Sequence, residues 1–513
     1  MPSAPIGNRS PLDFSPLDPV EPTELDALVA LLARARIAQQ AWELTPLSER
    51  IEAIYKAKDR ILDRGDELAL LLRAEAGKPA AETWTAEVLP NADLIDHWVD
   101  AIEAAMAPEE VVLDAMTYPG KSGAIQAAAR GVVALITPWN FPVAIPLRTI
   151  VPALLAGNAV VFKPSEHTPR AGAFVARLFE GLIPDGVLTL VQGGGDVGGA
   201  LVEGDVDLVV FTGSVATGRK IASAAAQHLT PVSLELGGKD AAIVLEDADL
   251  ERAARGIVWG AFNNAGQNCA SIERVYVEKK VGRQLVDRMV EITRSLKVGD
   301  DVGPPTTEAQ LETVKRHVEG AERSGALLLC GGHATGRGLG FEPTIVEIPK
   351  DRESMPLMEE ETFGPVLPVV FVDDVDDAIR RANATRFGLT ASLWTKKLDR
   401  AERLAQRLRA GVVTINNHGF TAALPNAPWS GVGESGHGVT NSKHALKDLT
   451  RPRFVLVDKS RSKTELWWMP YSASLINTAR ALATLRSGAK SFVEKLKAVW
   501  ALLTNAPKRL MGR

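Results

Sequence analysis

Cysteine is nearly absent, because the chain of 513 residues contains only Cys269 and Cys330. Two thiols are too few for the disulfide framework on which small secreted domains depend. Near Met1 no basic start is followed by a continuous apolar stretch, so no secretory leader is expected. The sequence therefore predicts a protein of a reducing, cytoplasmic compartment.

A strong net charge and a long apolar run are also missing. The 58 Lys and Arg residues nearly balance the 63 Asp and Glu residues, which gives a net charge of -5. A chain without excess positive charge has no whole-chain electrostatic reason to bind nucleic acid. The apolar, uncharged stretch of residues 131–147 is interrupted by three prolines, so it does not resemble a transmembrane helix of about 20 apolar residues.

Spacings typical of several other catalytic classes are absent as well. The sequence contains neither C-x-x-C nor H-E-x-x-H, so no metal site is expected. None of the eight histidines stands in a motif that would activate a thiol, as a Cys-His hydrolase requires. We interpret His418 and His437, near the later glycine turns, as structural residues.

The distribution of apolar residues divides the chain into segments. Residues 1–22 are rich in proline and predict an extended arm, whereas residues 23 to about 107 show the three- and four-residue spacing of amphipathic helices. Between Gly131 and Val215, short β-branched runs alternate with helical stretches, which indicates a parallel sheet covered by helices. A second alternation, from residue 241 to residue 411, predicts another α/β domain that contains Cys269.

The C-terminal segment differs in composition from the rest of the chain. Residues 451–513 contain thirteen Lys or Arg and three acidic residues. One amphipathic helix is predicted from apolar residues three or four positions apart, namely Leu482, Leu485, Ala489, Phe492, Leu496, Val499 and Leu503. Two interpretations stay open: this stripe packs on its own or a sister subunit, or it forms a membrane-surface or partner site.

Three segments at the ends of predicted strands are candidates for cofactor binding. Residues 193–198 fit G-x-G-x-x-G, but no acidic residue follows at the distance of a dinucleotide fingerprint, so we interpret this run as a tight turn. In FTGSVATG, Gly213 and Ser214 precede a helix start whose N–H groups suit a pyrophosphate. In VVFKPSE, Lys163 can donate to ribose hydroxyls and Glu166 can accept from them; the carboxylate favours NAD over NADP because it repels a 2′-phosphate.

Cys269 in GQNC is a candidate nucleophile because three other segments carry polar residues that suit the same chemistry. Glu235 lies among leucines in LELGGK, where lost hydration raises its proton affinity toward that of a general base. Asn140, in the proline-fixed turn TPWNFP, offers an uncharged amide donor that suits a developing oxyanion. Glu361 in EETFGP adds a further carboxylate on a Gly-Pro turn.

Taken in order, the segments TPWNFP, KPSE, FTGSVATG, LELGGK, GQNC, EETFGP and APWSGVGESGHG resemble the NAD(P)-dependent aldehyde dehydrogenase superfamily, from about residue 25 to residue 455. By this resemblance, Cys269 attacks an aldehyde, Asn140 and the Cys269 backbone N–H hold the oxyanion, and Glu235 activates the water that hydrolyses a thioester. The resemblance also implies contacts with the cofactor: Lys163 and Glu166 at the adenosine ribose, Trp139, Gly213 and Ser214 at the pyrophosphate, and Glu361 and Phe363 at the nicotinamide ribose.

The resemblance further implies an architecture. It is an α/β, aldehyde-dehydrogenase-like fold with a Rossmann-like NAD-binding domain over residues 23–109 and 129–236 and a catalytic domain over residues 237–428. A strand arm over residues 110–128 and 445–458 would pair with a neighbouring subunit, which implies a homodimer or homotetramer. Residues 459–513 then form a basic amphipathic extension outside the family pattern.

The choice of aldehyde depends on fewer residues. Arg148, eight positions after Asn140, resembles the arginine with which succinate-semialdehyde dehydrogenases hold the substrate carboxylate. The second arginine of those enzymes is replaced here by Asn263. A structural ion pair is the alternative role for Arg148.

Three other functional interpretations stay open. Some branches of the family that act on long-chain aldehydes carry membrane-attached tails, and Trp467, Trp468 and Trp500 are consistent with a tail of that kind. A CoA-acylating relative would use CoA in place of water, although Glu235 disfavours this. A catalytically silent scaffold is the alternative outside enzymes.

Overall fold

The computed structural model describes residues 4–115, 117–350, 352–461 and 465–510. The chain divides into two compact units, of which the first comprises Met1–Ala107 and Ala127–Arg451. The second unit comprises Pro108–Gln126 and Pro452–Arg513. Residues 4–22 contain no helix, and they fold back on themselves through bridges between Ile6 and Val20 and between Arg9 and Pro16.

The α-helices of the first unit begin with the predicted helical opening. They are α1 (Ala27–Leu44), α2 (Leu47–Asp63), α3 (Gly65–Ala76), α4 (Ala80–Thr83), α5 (Leu89–Ala105), α6 (Ala144–Leu155), α7 (Pro169–Leu178), α8 (Gly195–Val202), α9 (Val215–Gln227), α10 (Leu250–Phe262), α11 (Lys279–Ser295), α12 (Glu308–Arg323), α13 (Pro356–Glu359), α14 (Val375–Asn383), α15 (Leu398–Ala405) and α16 (Leu446–Leu449). A π-helical turn, Trp84–Val88, joins α4 to α5. Short 3-10 turns occur at Asn263–Gly266, Phe420–Ala423 and Gly433–Ser435.

The strands of the chain are short. They are β1 (Glu109–Val111), β2 (Lys121–Ala129), β3 (Val132–Ile136), β4 (Ala159–Lys163), β5 (Leu188–Leu190), β6 (Leu208–Thr212), β7 (Val232–Glu235), β8 (Asp240–Val244), β9 (Ile272–Glu278), β10 (Leu327–Cys330), β11 (Thr344–Glu347), β12 (Val366–Val372), β13 (Thr390–Trp394), β14 (Val412–Ile415), β15 (Trp429–Ser430), β16 (Gly436–His437), β17 (Val439–Thr440) and β18 (Thr450–Asp458).

The first large sheet has the order β16-β7-β6-β3-β4-β5 and confirms the parallel sheet predicted after residue 131. Its strands are parallel except for β16, which runs antiparallel to β7. Strands β3 and β4 are buried along their whole length, as expected for parallel strands covered on both faces. One apolar cluster includes Trp98 and Phe174, and another includes Leu28 and Phe211.

The second large sheet has the order β10-β11-β12-β9-β8-β13-β14. It is parallel except at its edge, where β10 pairs antiparallel with β11. Helices α10 and α11 contribute Ile257 and Met289 to one apolar cluster, whereas α12 and α14 contribute Val314 and Ile379 to another. The second α/β alternation predicted from the sequence is therefore confirmed.

Strand polarity determines where polar side chains collect. Strands β3, β4, β6 and β7 are parallel neighbours, so the residues that follow them emerge at one edge of the first sheet. Strands β9 and β12 are also parallel neighbours, and the segments before them emerge at the opposite, amino-terminal edge of the second sheet. Asn140 and Glu235 belong to the first group, and Cys269 and Glu361 belong to the second.

The second unit combines the sheet β1-β2-β18 with two helices, α17 (Ala473–Arg486) and α18 (Phe492–Leu510). The sequence pattern predicted one continuous helix, and this prediction is wrong. The chain turns after Arg486, and α18 starts at a reciprocal cap in which Ser491 Oγ accepts from Glu494 N and Ser491 N donates to Glu494 Oε2.

The turn divides the predicted apolar stripe between two environments. Leu482 is buried, whereas Phe492, Leu496 and Leu503 on α18 are exposed. Strand β18 also exposes apolar side chains, among them Phe454 and Leu456. No helix in the described part of the chain is long and apolar enough to cross a membrane.

A buried carboxyl group joins two strands of the second sheet and makes stability depend on pH. Asp240 accepts hydrogen bonds from Thr390 N at 2.9 Å and from Thr390 Oγ1 at 2.6 Å. Burial raises the pKa of Asp240 to about 8, despite these hydrogen bonds. Between the ordinary pKa of 3.8 and this value, the folded chain holds a proton that the unfolded chain releases, so the stabilisation falls as pH rises. We expect Asp240→Asn to flatten the decline of the melting temperature between about pH 5 and pH 8.

The control is Asp377→Asn, because the stabilisation by Asp377 depends on pH in the opposite direction. Burial opposes ionisation of Asp377, but its hydrogen bond and ion pair with Arg381 lower the pKa of this carboxyl overall. Its contribution is therefore complete above the ordinary pKa and is lost as pH falls. An unchanged pH profile of melting in Asp240→Asn would show that Asp240 is not protonated in the folded protein.

Candidate active site

One cavity of about 340 Å³ in the first unit brings together the polar residues singled out from the sequence. Its lining includes Cys269, Glu235 and Asn140, together with Glu361 and Phe363. The remaining wall is largely apolar and contains Pro138, Trp139, Ile145, Leu236 and Trp429. A thiol, a carboxylate and an amide donor thus face one space, although Cys269 is 34 residues from Glu235 and more than a hundred from Asn140.

A second cavity of about 690 Å³ shares Pro138, Trp139, Thr212, Gly213 and Ser214 with the first. Lys163 and Glu166 line its far part, where Lys163 Nζ lies 3.4 Å from Glu166 Oε2. Burial lowers the pKa of Lys163, while the Glu166 charge acts in the opposite direction. The two cavities together offer room for an elongated ligand with polar groups at both ends.

Two helices begin at the second cavity. Ser214 caps α9, with its Oγ accepting from Thr217 N at 3.2 Å. Gly194 and Gly195 lie at the start of α8, and a Cβ added at Gly198 would make van der Waals contact with the Lys163 side chain at 3.6 Å. The interpretation of residues 193–198 as a tight turn is wrong, because the chain bends at Gly194 and enters α8 at Gly195, and these glycines line the cavity.

Asn140 is fixed through its backbone by a buried ion pair. Lys78 Nζ donates to Glu87 Oε1 at 2.5 Å and to the Asn140 carbonyl at 2.9 Å. The other oxygen of Glu87 accepts from the backbone N–H groups of Val143 and Ala144, at 3.2 Å and 2.7 Å. One ion pair therefore holds the segment from Asn140 to the start of α6.

The segment before Cys269 has an unusual backbone. Asn264, Ala265 and Gly266 have φ values of 53°, 56° and 70°, so three consecutive residues are left-handed. Gly266 is required there for a second reason, since an added Cβ would lie 2.2 Å from the Gly364 carbonyl oxygen. The turn ends with Gln267, whose carbonyl accepts from Asn140 Nδ2 at 3.1 Å.

The electrostatics of the cavity keep the thiol protonated. Burial and the neighbouring Glu235 raise the pKa of Cys269 to about 12, while Arg148 lowers it. Burial also raises the pKa of Glu235, and Thr440 and Arg148 offset part of this effect. Among the described residues, Glu235 Oε1 has no hydrogen-bond partner. Glu235 is thus a buried acceptor with one oxygen available to a ligand or a water.

Glu361 and Phe363 are held by a second buried ion pair. Lys239 Nζ lies 2.5 Å from Glu273 Oε2, and Glu273 accepts from the backbone N–H groups of Thr362 and Phe363. Burial raises the pKa of Glu361 to about 8. The ring of Phe363 meets the Trp139 ring edge to face, with centroids 5.5 Å apart.

Arg148 lies outside the cavity lining, on α6. Its side chain is half-buried, and it forms no ion pair or hydrogen bond with any residue that the structure describes. Burial lowers the pKa of Arg148, whereas the charges of Glu235, Cys269 and Glu87 raise it. The alternative of a structural ion pair is therefore not observed among the described residues, and the charge of Arg148 lowers the pKa of Cys269.

His418 has a structural environment, as predicted. Its Nε2 lies 2.6 Å from the carbonyl oxygen of Ala270, the residue after Cys269, and burial lowers the pKa of the ring to about 4. Within the described ranges, no group of three or more His, Cys, Asp or Glu side chains is arranged to hold a metal ion.

Sequence reasoning missed the residues that support this site. Lys78 and Glu87 lie in the helical opening, Glu82 contacts the turn before Cys269, and Glu273 occupies a buried position in β9. The one available signal was a Lys and two Glu between apolar residues of the opening. Their partners are far away in sequence, so no local spacing could reveal them.

Comparison with known proteins identifies the family. A family described as "Aldehyde dehydrogenase family" matches residues 5–455. The chain is 36% identical over 479 residues to 4,4'-diapolycopene aldehyde oxidase of a Methylomonas species, across 91% of this chain and 89% of that protein. It is 35% identical over 452 residues to a Mycobacterium ulcerans protein whose name refers to succinate semialdehyde and NADP(+), across 86% of each chain.

Solved structures of similar proteins confirm the predicted fold class. PnpE in complex with nicotinamide adenine dinucleotide superimposes with a TM-score of 0.85 at 32% identity, across 90% of this chain and 96% of that one. A crystal structure of PnpE from Pseudomonas sp. WBC-3 has a TM-score of 0.85 at 33% identity, across 90% of this chain and 96% of that one. The family match, the fold and the motifs agree, and the chain belongs to the aldehyde dehydrogenase family of oxidoreductases.

Proposed function

We propose that this enzyme oxidises an aldehyde to a free carboxylic acid with NAD, through a covalent intermediate on Cys269. The observation that carries the proposal is the shared lining of one cavity by Cys269, Glu235 and Asn140, next to a second cavity bordered by two helix starts. The largely apolar wall of the first cavity suits a neutral aldehyde.

In the first step the sulfur of Cys269 bonds to the aldehyde carbon, and the thiol proton ends on the former carbonyl oxygen. Asn140 lines the cavity and donates to that oxygen while negative charge develops on it, because only one of the two hydrogens on Nδ2 is used for the Gln267 carbonyl. Loss of a hydride from the carbon and of a proton from the hydroxyl then leaves a thioester on Cys269.

Glu235 acts in the second step. Its raised pKa and its unpartnered oxygen suit a base that takes a proton from water. The resulting hydroxide adds to the thioester carbon, the carbon–sulfur bond breaks, and the released thiolate regains a proton. Cys269 is restored and the carboxylic acid leaves.

The residues of both cavities fit a dinucleotide. Lys163 and Glu166 would hold the adenosine ribose, Ser214, Gly213 and Trp139 the pyrophosphate region, and Glu361 and Phe363 the nicotinamide ribose. The fit rests on the glycine-lined wall, where added Cβ atoms would narrow the space, and on the start of α9, whose N–H groups attract anions. NAD supplies the acceptor for the hydride when it is bound.

Two substitutions separate the chemical steps. We expect Cys269→Ala to abolish NADH formation, because no covalent intermediate can form. We expect Glu235→Gln to retain one rapid turnover of NADH per active site while steady turnover falls by about 100-fold or more, because the thioester persists without a base. Stopped-flow absorbance of NADH measures both quantities.

The matched controls are Cys330→Ala, which removes the other thiol, and Glu203→Gln on the surface; both should retain wild-type turnover. NADH formation in Cys269→Ala would contradict the role of Cys269. NADH formation that requires added CoA and yields acyl-CoA instead of the free acid would favour an acylating enzyme. Absence of both NAD binding and turnover in the wild type would favour a silent scaffold.

The preference for NAD over NADP is assigned to Glu166. Its side chain is partly exposed and stands beside Lys163 at the far end of the second cavity. We expect Glu166→Gln to raise kcat/KM for NADP relative to NAD by about tenfold, since one unfavourable charge is removed from the 2′-phosphate. Initial rates with both cofactors measure the ratio, with Glu203→Gln as control. An unchanged ratio would mean that Glu166 does not face the ribose.

A carboxylated aldehyde is the second candidate substrate, because Arg148 lacks an ion-pair partner among the described residues. We expect Arg148→Met to lower kcat/KM for succinate semialdehyde about tenfold more than for a neutral aldehyde of equal length. The ratio between substrates is the informative readout, because loss of this charge also raises the pKa of Cys269 and slows both reactions. Equal losses would leave Arg148 as an electrostatic support of the thiol.

We also propose a cytoplasmic homo-oligomer, a dimer or a tetramer. The exposed apolar side chains of β18 support a subunit contact, because an apolar strand exposed in one chain is normally covered by another. The exposed face of α18 suits either the same assembly or a membrane surface. Sedimentation of the full chain with and without anionic vesicles distinguishes the two.

A further inference from the structure

We propose that Glu82 is a positioning residue, which fixes the turn before Cys269 and, through Asn264, the relation between the nucleophile and Asn140. The expected effects on kcat rest on the proposed function, whereas the hydrogen bonds of Glu82 and the alkylation of Cys269 do not. The contact itself joins residues 182 positions apart, so it forms only in the folded chain.

The carboxylate of Glu82 reaches the turn at two points. Its Oε1 accepts from Asn264 N at 2.8 Å and from Asn263 Nδ2 at 3.1 Å. Asn264 is the first of the three left-handed residues, and Ala265 follows without the freedom of glycine. A backbone that is unfavourable for its residue types persists only where its surroundings hold it. Glu82 provides such a restraint at the point where the turn begins.

Asn264 passes this restraint to both sides of the cavity. Its Nδ2 donates to the Asn140 carbonyl at 2.9 Å and to the Gln267 carbonyl at 3.0 Å. Asn140 Nδ2 donates in turn to the same Gln267 carbonyl. The oxyanion donor and the segment that carries Cys269 therefore meet at Asn264, and a shift of Asn264 would move one relative to the other.

The remaining oxygen of Glu82 argues against a role in packing alone. Oε2 is buried and has no hydrogen-bond partner among the described residues. Burial raises the pKa of Glu82 to about 7, although Asn264 N and Lys78 act in the opposite direction. An apolar residue would avoid this unfavourable burial, so the polar group is explained by the two hydrogen bonds that Oε1 accepts from the turn.

Glu75 offers a matched comparison. It is a buried carboxylate that accepts two backbone hydrogen bonds, from Arg170 N and Ala171 N at 2.9 Å each, and burial raises its pKa to about 7 as well. These bonds hold the start of α7, and neither involves the segments of Asn140 or Cys269. Loss of either carboxylate should cost comparable stability, but only one should disturb the chemistry.

The experiment compares Glu82→Ala, Glu82→Asp, Glu82→Gln and Glu75→Ala in the full chain. We expect Glu82→Ala and Glu82→Asp to lower kcat by about tenfold or more with little change of KM for NAD, because a displacement of reacting groups acts on the chemical step. Glu82→Gln should recover most of kcat, since its Oε1 keeps both acceptor bonds. Glu75→Ala should lower the melting temperature but leave kcat unchanged.

Alkylation of Cys269 by iodoacetamide, in a Cys330→Ser background, provides a readout that is independent of aldehyde oxidation. Its rate should change in Glu82→Ala and remain as in the wild type in Glu75→Ala. Equal effects of Glu82→Ala and Glu75→Ala on kcat and alkylation would overturn the proposal, and so would failure of Glu82→Gln to recover kcat. If Glu82→Ala does not fold, kcat of Glu82→Asp is compared with kcat of Glu82→Gln, and equal values would overturn the proposal.

Discussion

The hydrogen bond from a loop backbone N–H to a buried glutamate is the interaction on which this site depends. Glu87 accepts from Val143 and Ala144, Glu82 from Asn264, and Glu273 from Thr362 and Phe363. Each of these N–H groups lies outside the strand ladders, in a turn or at the start of α6, so it would otherwise lie buried without an acceptor. A carboxylate binds such groups more strongly than a neutral acceptor does, which fixes loops that carry Asn140, Cys269 and Glu361.

The three glutamates differ in how their charge is compensated. Lys78 and Lys239 form buried ion pairs with Glu87 and Glu273. Such pairs contribute little net stability, because desolvation of both charges offsets their attraction, but removal of one partner is costly. Glu82 has no cation in hydrogen-bond contact among the described residues, which is consistent with its raised pKa. The supporting shell is thus organised for accurate geometry more than for stability.

Much of this arrangement was predictable from the sequence, and the limits have physical causes. Asn140 follows one strand and Lys163 ends another that the βαβ rhythm indicates, and parallel strands bring their carboxyl ends together. Glu82 and Asn264 have no such signal, because a contact across 182 residues leaves no periodic pattern. One continuous C-terminal helix was predicted because the apolar spacing continues through the turn after Arg486. The Ser491–Glu494 cap instead marks the start of a second helix.

The π-helical turn at Trp84–Val88 changes the relative direction of the Glu82 and Glu87 side chains, which are five positions apart. In a regular α-helix, side chains five positions apart point about 140° away from each other. The wider turn, closed here by a bond from Leu89 N to the Trp84 carbonyl, reduces that divergence. Both carboxylates can then serve neighbouring loops, so one extra residue per turn lets a single helical segment clamp the nucleophile and the oxyanion donor together.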